Sequence, residues 1–197
     1  MALTLTKEDG TGLSGSNSYA TVAEADAYFD GHLYAGTWAA SAAGAKSAAL
    51  VMASRLIDSI MQFRGYRSLA TQAMQWPRER CPDPDACLAG ISPLVPVAGA
   101  FVTSLTVPPS VRWAAIEMAR ELIIKDRTAA PDGEGLDTLV QTHTTHESTG
   151  SGSDSTSTTT KYNKSDTPGV LSQVALALLS KYGEARCGGG PVRLERV

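Results

Sequence analysis

The chain has few of the residues on which many small folds and catalytic sites depend. Its 197 residues include three cysteines and three histidines, and 6% of them are aromatic. Since an odd number of cysteines cannot close a complete disulfide framework, we expect a protein made in a reducing cytosol, with buried or idle thiols. The apolar runs are shorter than the roughly 20 residues that cross a bilayer, so no membrane partner is expected.

Catalytic and metal-binding motifs are equally scarce. The sequence contains no G-x-x-x-x-G-K-[ST] phosphate loop, no G-x-G-x-x-G after a predicted strand and no G-x-S-x-G elbow. His143 and His146 would point to opposite faces of a strand, and five residues separate Cys81 from Cys87, more than in common zinc sites. Scattered carboxylates at helical positions indicate a solvated face: Asp26, Asp30 and Asp58. We therefore expect no enzyme activity, no cofactor and no bound metal.

The charge of the chain bears on nucleic-acid binding. A formal net charge of -3 is unlike that of proteins that neutralise a phosphate backbone with clustered Lys and Arg. One segment nevertheless combines aromatic and basic residues, the mixture that holds single-stranded DNA: Arg64, Tyr66, Arg67, Trp76 and Arg78. We favour a packed tryptophan with an arginine reaching over it, and single-stranded DNA binding stays the alternative.

Four helices are predicted, around a light, alanine-rich core. A capping box of Thr21 and Glu24 begins the first, which should end near Gly31. Apolar residues at spacings of three and four predict the second over 41–62 and the third over 109–127, with proline in its first turn. The fourth should run from Pro168 to near Gly183, within 168–184.

Several segments are predicted to lie outside this helical body. Residues 1–18 read as a flexible N-terminal arm, because 10–18 are rich in glycine and serine. Prolines interrupt 66–107, which we interpret as a loop excursion from a helical core spanning 19–127. Fifteen of residues 141–160 are Ser, Thr or Gly, and β-branched flanks favour a protruding hairpin over 134–165.

The predicted fold class is mainly α, a small bundle of about four helices in a single domain of 1–197. A long β-hairpin or loop protrudes from it, and both termini form extended arms. Such a hairpin is marginal alone, so it should contact a neighbouring subunit. The contacting residues would be Leu139, Val140, Thr158, Thr160 and Tyr162. The tail, 185–197, should dock on a partner as an added strand. Its binding residues would be Pro191, Val192, Arg193, Leu194, Glu195 and Arg196.

The order of short motifs supports a family assignment. These are Asn17-Ser18-Tyr19 through Tyr28-Phe29, Trp38, Ile57-Asp58, Phe63-Arg64-Gly65, Gln75-Trp76-Pro77-Arg78, Val107-Pro108-Pro109 with Ala114 and Glu117, and the glycines before Val192-Arg193. In this order they resemble phage proteins described as DnaT-like single-stranded DNA-binding proteins. Those proteins in turn resemble the head-tail connector (adaptor) family of tailed bacteriophages. The resemblance covers roughly residues 17–127 and 168–196.

The resemblance implies a structural protein of the virion, made in the host cytoplasm and located in the neck at the head-tail junction. Subunits of that family form a dodecameric ring between the portal protein and a tail, stopper or nozzle protein. Double-stranded DNA would pass through the lumen without sequence-specific binding. The tail residues would then bind the portal or an adjacent ring. The alternative is a single-stranded DNA-binding or replication accessory module.

Overall fold

The structure, a computed structural model, describes residues 3–84, 101–128 and 170–186. Residues 1–126 and 171–197 belong to one compact unit and 127–170 to a second. Of the second unit, residues 127, 128 and 170 are described, and Arg127 Nε donates to the Val170 carbonyl at 3.0 Å. The predicted hairpin over 134–165 and the tail from 187 onward lie outside the described residues, so the statements about them stay predictions.

Within its described residues, the first unit contains five helices: α1 (Val22–Phe29), α2 (Gly36–Ala40), α3 (Ala43–Ile60), α4 (Pro109–Ile124) and α5 (Gln173–Leu179). Helix α4 packs against both α3 and α5 and is buried on several sides. The predicted alanine-rich core is confirmed by the buried alanines Ala20, Ala25, Ala49, Ala53, Ala114, Ala115, Ala119 and Ala175. Within the described ranges, no helix is long and apolar enough to cross a membrane.

The first three predicted helices are confirmed as α1, α3 and α4, with small shifts at their ends. At the capping box, the Thr21 hydroxyl accepts from Glu24 N at 3.2 Å, and the Glu24 carboxylate accepts from Thr21 N at 2.9 Å. The predicted start of the last helix at Pro168 is wrong. Its N-cap is Ser172, whose hydroxyl accepts from Ala175 N at 3.1 Å, so α5 begins at Gln173. Helix α2 is too short for a periodic pattern to predict.

Two small antiparallel sheets accompany the helices, and the sequence predicted neither. Strand β1 (Met61–Phe63) pairs with β4 (Gly183–Ala185), and β2 (Tyr66–Arg67) pairs with β3 (Arg78–Glu79). A Cβ at Gly183 would lie 2.4 Å from the Gln62 carbonyl oxygen, so this glycine permits close strand pairing. The predicted helix end near Gly183 is wrong, because α5 ends at Leu179 and Gly183 begins β4. The described residues therefore form a mixture of helices and small sheets, and the predicted mainly α bundle is confirmed only in its helices.

The N-terminal segment differs from the predicted flexible arm. Residues 10–16 wrap around the carboxylate of Glu8, which is fully buried. One oxygen accepts from Gly10 N at 3.0 Å and Gly12 N at 2.9 Å, and the other from Leu13 N at 3.0 Å and Ser16 Oγ at 2.8 Å. Composition alone predicts flexibility, but Gly10 and Gly12 have φ of 105° and 77°, and they fold the backbone around a buried charge.

Replacing Glu8 with glutamine tests this loop. The amide puts a donor among N–H groups that need acceptors, and we expect the free energy of unfolding to fall by about 1–3 kcal/mol in urea denaturation followed by circular dichroism. Asp9→Asn is the matched control, since Asp9 is exposed and bonds only to Thr11 among the described residues. Equal unfolding midpoints for the two variants would contradict the role assigned to Glu8.

Candidate functional site

The predicted aromatic and basic cluster is divided between the core and the surface. Trp76 is fully buried, and its ring packs edge-on against Phe63 at 5.7 Å and Tyr182 at 5.5 Å between centroids. Arg78 is 7% exposed. The predicted packing of the tryptophan is confirmed, but the Arg78 guanidinium is bonded to the carbonyls of residues 63–65 and to Gln75, and an arginine reaching over the Trp76 ring stays a prediction. Neither side chain is accessible to stack on or bind a nucleic acid.

The guanidinium of Arg78 is held by acceptors from two neighbouring stretches of chain. Nε donates to the Arg64 carbonyl at 2.8 Å, and one terminal nitrogen donates to the Gly65 and Phe63 carbonyls at 2.6 and 3.3 Å. The other donates to the Gln75 carbonyl and side-chain oxygen at 3.1 and 3.0 Å. Burial lowers the pKa of Arg78 from its usual value. The five hydrogen bonds offset the cost of burying the charge.

The other half of the cluster is on the surface. Arg64, Arg67 and Arg80 are exposed, and the Tyr66 ring is 49% exposed. Tyr66 lies opposite Glu79 in the β2–β3 pairing, and Arg67 lies opposite Arg78. We call the exposed side chains of Arg64, Tyr66, Arg67 and Arg80 the arginine ribbon. Arg80 belongs to it although the sequence pattern did not single it out.

A second candidate surface lies between α1 and α4. An open groove of about 290 Å³ is lined by Ala20, Glu24, Ala27, Tyr28, Arg112, Trp113 and Ile116. The Trp113 side chain is 44% exposed, and its ring centroid lies 6.4 Å from that of Tyr28. The rings continue from Tyr28 to His32 at 6.5 Å and from His32 to Tyr34 at 6.3 Å. We call these four side chains the aromatic row.

A buried carboxylate anchors the aromatic row. Glu117 is 2% exposed and accepts from the Tyr28 hydroxyl at 2.9 Å and from Arg120 Nε at 3.2 Å, while His32 Nε2 lies 3.4 Å away. Burial and the adjacent Glu117 raise the pKa of Tyr28 to about 12, so its hydroxyl stays protonated at neutral pH and donates. With three partners around one carboxylate, the arrangement holds the Tyr28 and His32 rings in place.

The charges around the groove are paired. Glu24 accepts from Lys7 Nζ and lies 3.5 Å from Arg112, and Asp26 accepts from Lys46 at 2.8 Å. Burial alone would raise the pKa of Glu24, but the hydrogen bonds from Lys7 and Thr21 outweigh it and the pKa lies below its usual value. The groove therefore combines aromatic surface with one arginine, Arg112, whose nearby carboxylate Glu24 is shared with Lys7.

The prediction that Asp58 lies on a solvated face is wrong. Its carboxylate is mostly buried, where one oxygen accepts from the Tyr19 hydroxyl and the other from Gln75 N at 3.0 Å. Trp76 N in turn donates to the Tyr19 hydroxyl at 3.3 Å. Burial raises the pKa of Asp58 to about 6. Asp26 also has a structural contact, since it accepts from Trp38 Nε1 at 2.8 Å.

The remaining predicted residues are only partly described. Cys81 is a buried thiol, as expected, while Cys87, Cys187, His143 and His146 lie outside the described residues. The same is true of the hairpin residues from Leu139 to Tyr162 and of the tail residues from Pro191 to Arg196. In the described ranges, no three His, Cys, Asp or Glu side chains are placed to hold a metal ion.

Comparison with known proteins assigns the chain to a family. A family model described as "Putative DnaT-like ssDNA binding protein" matches residues 3–167. The chain belongs to this family. The DnaT-like part of the predicted resemblance is thereby confirmed, and the matched range includes both the arginine ribbon and the aromatic row. No curated protein and no solved structure matches the chain. The description names single-stranded DNA binding and not a phage neck, so the connector assignment stays a proposal.

The raised pKa of Asp58 gives a pH prediction. Because the pKa is about 6 in the folded protein and near 3.8 when unfolded, the folded state binds the proton more tightly between these values. The contribution of Asp58 to the free energy of unfolding is thus fully present below about pH 4 and decreases by up to about 3 kcal/mol as the pH rises past 6.

Asp58→Asn should remove that decrease. The measurement is the difference in unfolding free energy between wild type and variant, taken by urea denaturation at intervals from pH 4 to 7. Asp30→Asn, which removes an exposed carboxylate after α1, is the matched control and should leave the decrease in place. A constant difference between wild type and Asp58→Asn across this range would refute the assignment.

Proposed function

We propose that this member of the DnaT-like family is a non-catalytic assembly subunit, the head-tail connector (adaptor) of a tailed bacteriophage. In this proposal copies of the chain form a ring between the portal and a tail, stopper or nozzle protein, and double-stranded DNA passes through the lumen. The order of sequence motifs supports the phage assignment. The groove between α1 and α4 supports assembly.

The observation that carries the proposal is the chemistry of that groove. Trp, Tyr and Arg are the residues most enriched at the energetic centres of protein interfaces, and Trp113, Tyr28 and Arg112 line this one. The turn after α1 extends the surface with Leu33 and Tyr34, which are 88% and 73% exposed. An isolated exposed leucine needs no explanation, but one beside a row of exposed rings enlarges an apolar patch.

The local charges favour a protein partner over a phosphate backbone. A nucleic acid in the groove would meet the carboxylate of Glu24, which already pairs with Lys7 and lies 3.5 Å from Arg112, the cation that lines the groove. A protein side chain that covers Trp113 leaves these ion pairs intact. We infer that the occupant of the groove is the neighbouring subunit of the ring. The hairpin around 134–165 and the tail after 187 are further predicted contacts with the neighbour and the portal.

Trp113→Ala tests this interface. Loss of a central aromatic side chain costs about 2 kcal/mol or more at an interface, and we expect subunit association to weaken about 30-fold. Sedimentation velocity over a concentration series measures the association. Trp113→Phe keeps an aromatic ring and should lose less, while Phe101→Ala removes a ring of similar exposure outside the groove and should have no effect. A wild-type protein that is monomeric both alone and with the portal protein contradicts the proposal.

The second candidate is a single-stranded DNA-binding module, which the family description favours over a neck protein. The rings of the aromatic row, of which Trp113 and Tyr34 are exposed, are spaced 6.3 to 6.5 Å apart, which also suits the stacking of bases. Trp76→Ala cannot test this candidate, because the ring is buried and its removal would disrupt the core.

An oligonucleotide titration separates the two candidates. Tight binding of oligothymidylate by a monomer, with affinity reduced by Trp113→Ala, is the result expected of a stacking module. A connector subunit should form rings both with and without oligonucleotide, and Trp113→Ala should alter ring assembly and not DNA affinity. Fluorescence anisotropy together with sedimentation gives both quantities.

A further inference from the structure

We propose that the arginine ribbon is a binding surface for the phosphodiester backbone of DNA. The proposal goes beyond subunit assembly, since it assigns a ligand to a surface that the interface does not use. It also does not depend on ring formation, because a duplex in a lumen and a free single strand present the same phosphates.

The charge along this part of the chain is opposite in sign to that of the whole. Between residues 62 and 80 the sequence has four arginines and one carboxylate, Glu79, in a chain with a formal net charge of -3. Arg78 is buried among the carbonyl groups of residues 63–65 and Gln75, whereas Arg64, Arg67 and Arg80 are exposed. A local excess of exposed arginines is what contact with a phosphate backbone requires.

The backbone brings two of these arginines together. Gly65 has a φ of 72°, and a Cβ there would lie 2.2 Å from the Glu79 carbonyl oxygen and 2.9 Å from the Arg80 carbonyl carbon. Residues 64 and 80 are thus on adjoining stretches of chain. Arg80 has a φ of 53°, a conformation that costs energy for a residue other than glycine, and such residues are concentrated at functional sites.

The hydrogen bonds of the ribbon leave donors available. Arg67 uses one terminal nitrogen to donate to the Gln72 carbonyl at 3.1 Å. In the described part of the chain, the guanidinium groups of Arg64 and Arg80 take part in no ion pair within 4.0 Å. This differs from the groove between α1 and α4, where Arg112 lies 3.5 Å from Glu24. Phosphate oxygens would accept from the forked N–H groups of arginine without displacing a contact of the fold.

Tyr66 adds a flat surface to the charged one. Its half-exposed ring lies on β2 and shares a strand face with Glu79, while the adjacent Arg67 points to the other face. A base stacked on the ring could reach Arg64, which lies before the Gly65 turn. An acidic peptide would also be attracted by the arginines, but it would gain little from this ring. The combination favours DNA over an acidic protein partner, with no dependence on base sequence.

The test uses the full-length protein with fluorescein-labelled oligothymidylate and with a duplex of the same length. Fluorescence anisotropy from roughly 50 to 200 mM salt gives the slope of log affinity against log salt. The variant Arg64→Gln with Arg80→Asn removes both charges, and asparagine tolerates the positive φ at position 80. We expect a slope shallower by about 1.4 for the single strand, or by about 1.8 for the duplex.

Two controls separate the loss of charge from other effects. Arg55→Gln removes an exposed arginine that lies on α3, outside the ribbon, and should keep the wild-type slope. Arg64→Lys with Arg80→Lys preserves both charges and should also keep it, which excludes misfolding as the cause. Tyr66→Ala identifies the form of DNA. Weaker binding of the single strand alone assigns the ribbon to unpaired DNA, and unchanged binding of both forms assigns it to the duplex backbone.

Three results would overturn the inference. The first is an unchanged salt slope in the charge-removing variant, and the second is a wild-type protein that binds neither DNA. The third is binding of polyglutamate, sensitive to the same variant, without binding of DNA, which would assign the ribbon to an acidic protein. Sedimentation of the wild type decides ring formation separately, so each proposal fails on its own measurement.

Discussion

The buried guanidinium of Arg78 determines the form of the whole segment from Phe63 to Cys81. Its hydrogen bonds to the carbonyls of residues 63–65 and to Gln75 tie β1, β2 and β3 together, and Trp76 fills the core beside it. Because one arginine is drawn inward, its neighbours Arg64, Arg67 and Arg80 remain on the surface. The same interaction thus stabilises the core and creates the exposed basic ribbon. Without it, the carbonyls of the Gly65 turn would lose their donors.

Local patterns predicted the elements whose causes are local. The capping box at Thr21 and Glu24, the spacing of apolar residues in α3 and the proline that begins α4 all act within a few residues, and the structure contains each of them. The cluster around Trp76 was identified by residue type, but strands of two residues carry no pattern that tells which side faces the core. The groove between α1 and α4 was missed, because Tyr28 and Trp113 meet only in the folded chain.

Burial of charge was hardest to predict because it depends on how the chain folds around the carboxylate. Asp58 receives its hydrogen bond from Tyr19, which precedes it by 39 residues, and nothing in helical spacing distinguishes it from a solvated carboxylate. Glu8 is surrounded by glycines that composition assigns to a flexible arm, although their positive φ values close a loop around it. In both cases the acceptor oxygens are satisfied by groups whose positions the tertiary fold fixes.

In the proposed ring, the surface around Trp113 is an interface between copies of this chain. The most direct measurement is a cryo-electron microscopy map of the assembled protein bound to its portal partner. We expect a ring of subunits in which a neighbouring subunit covers the side chains of Trp113 and Tyr28. A ring in which both rings face solvent, or a preparation that contains only monomers under these conditions, would contradict it.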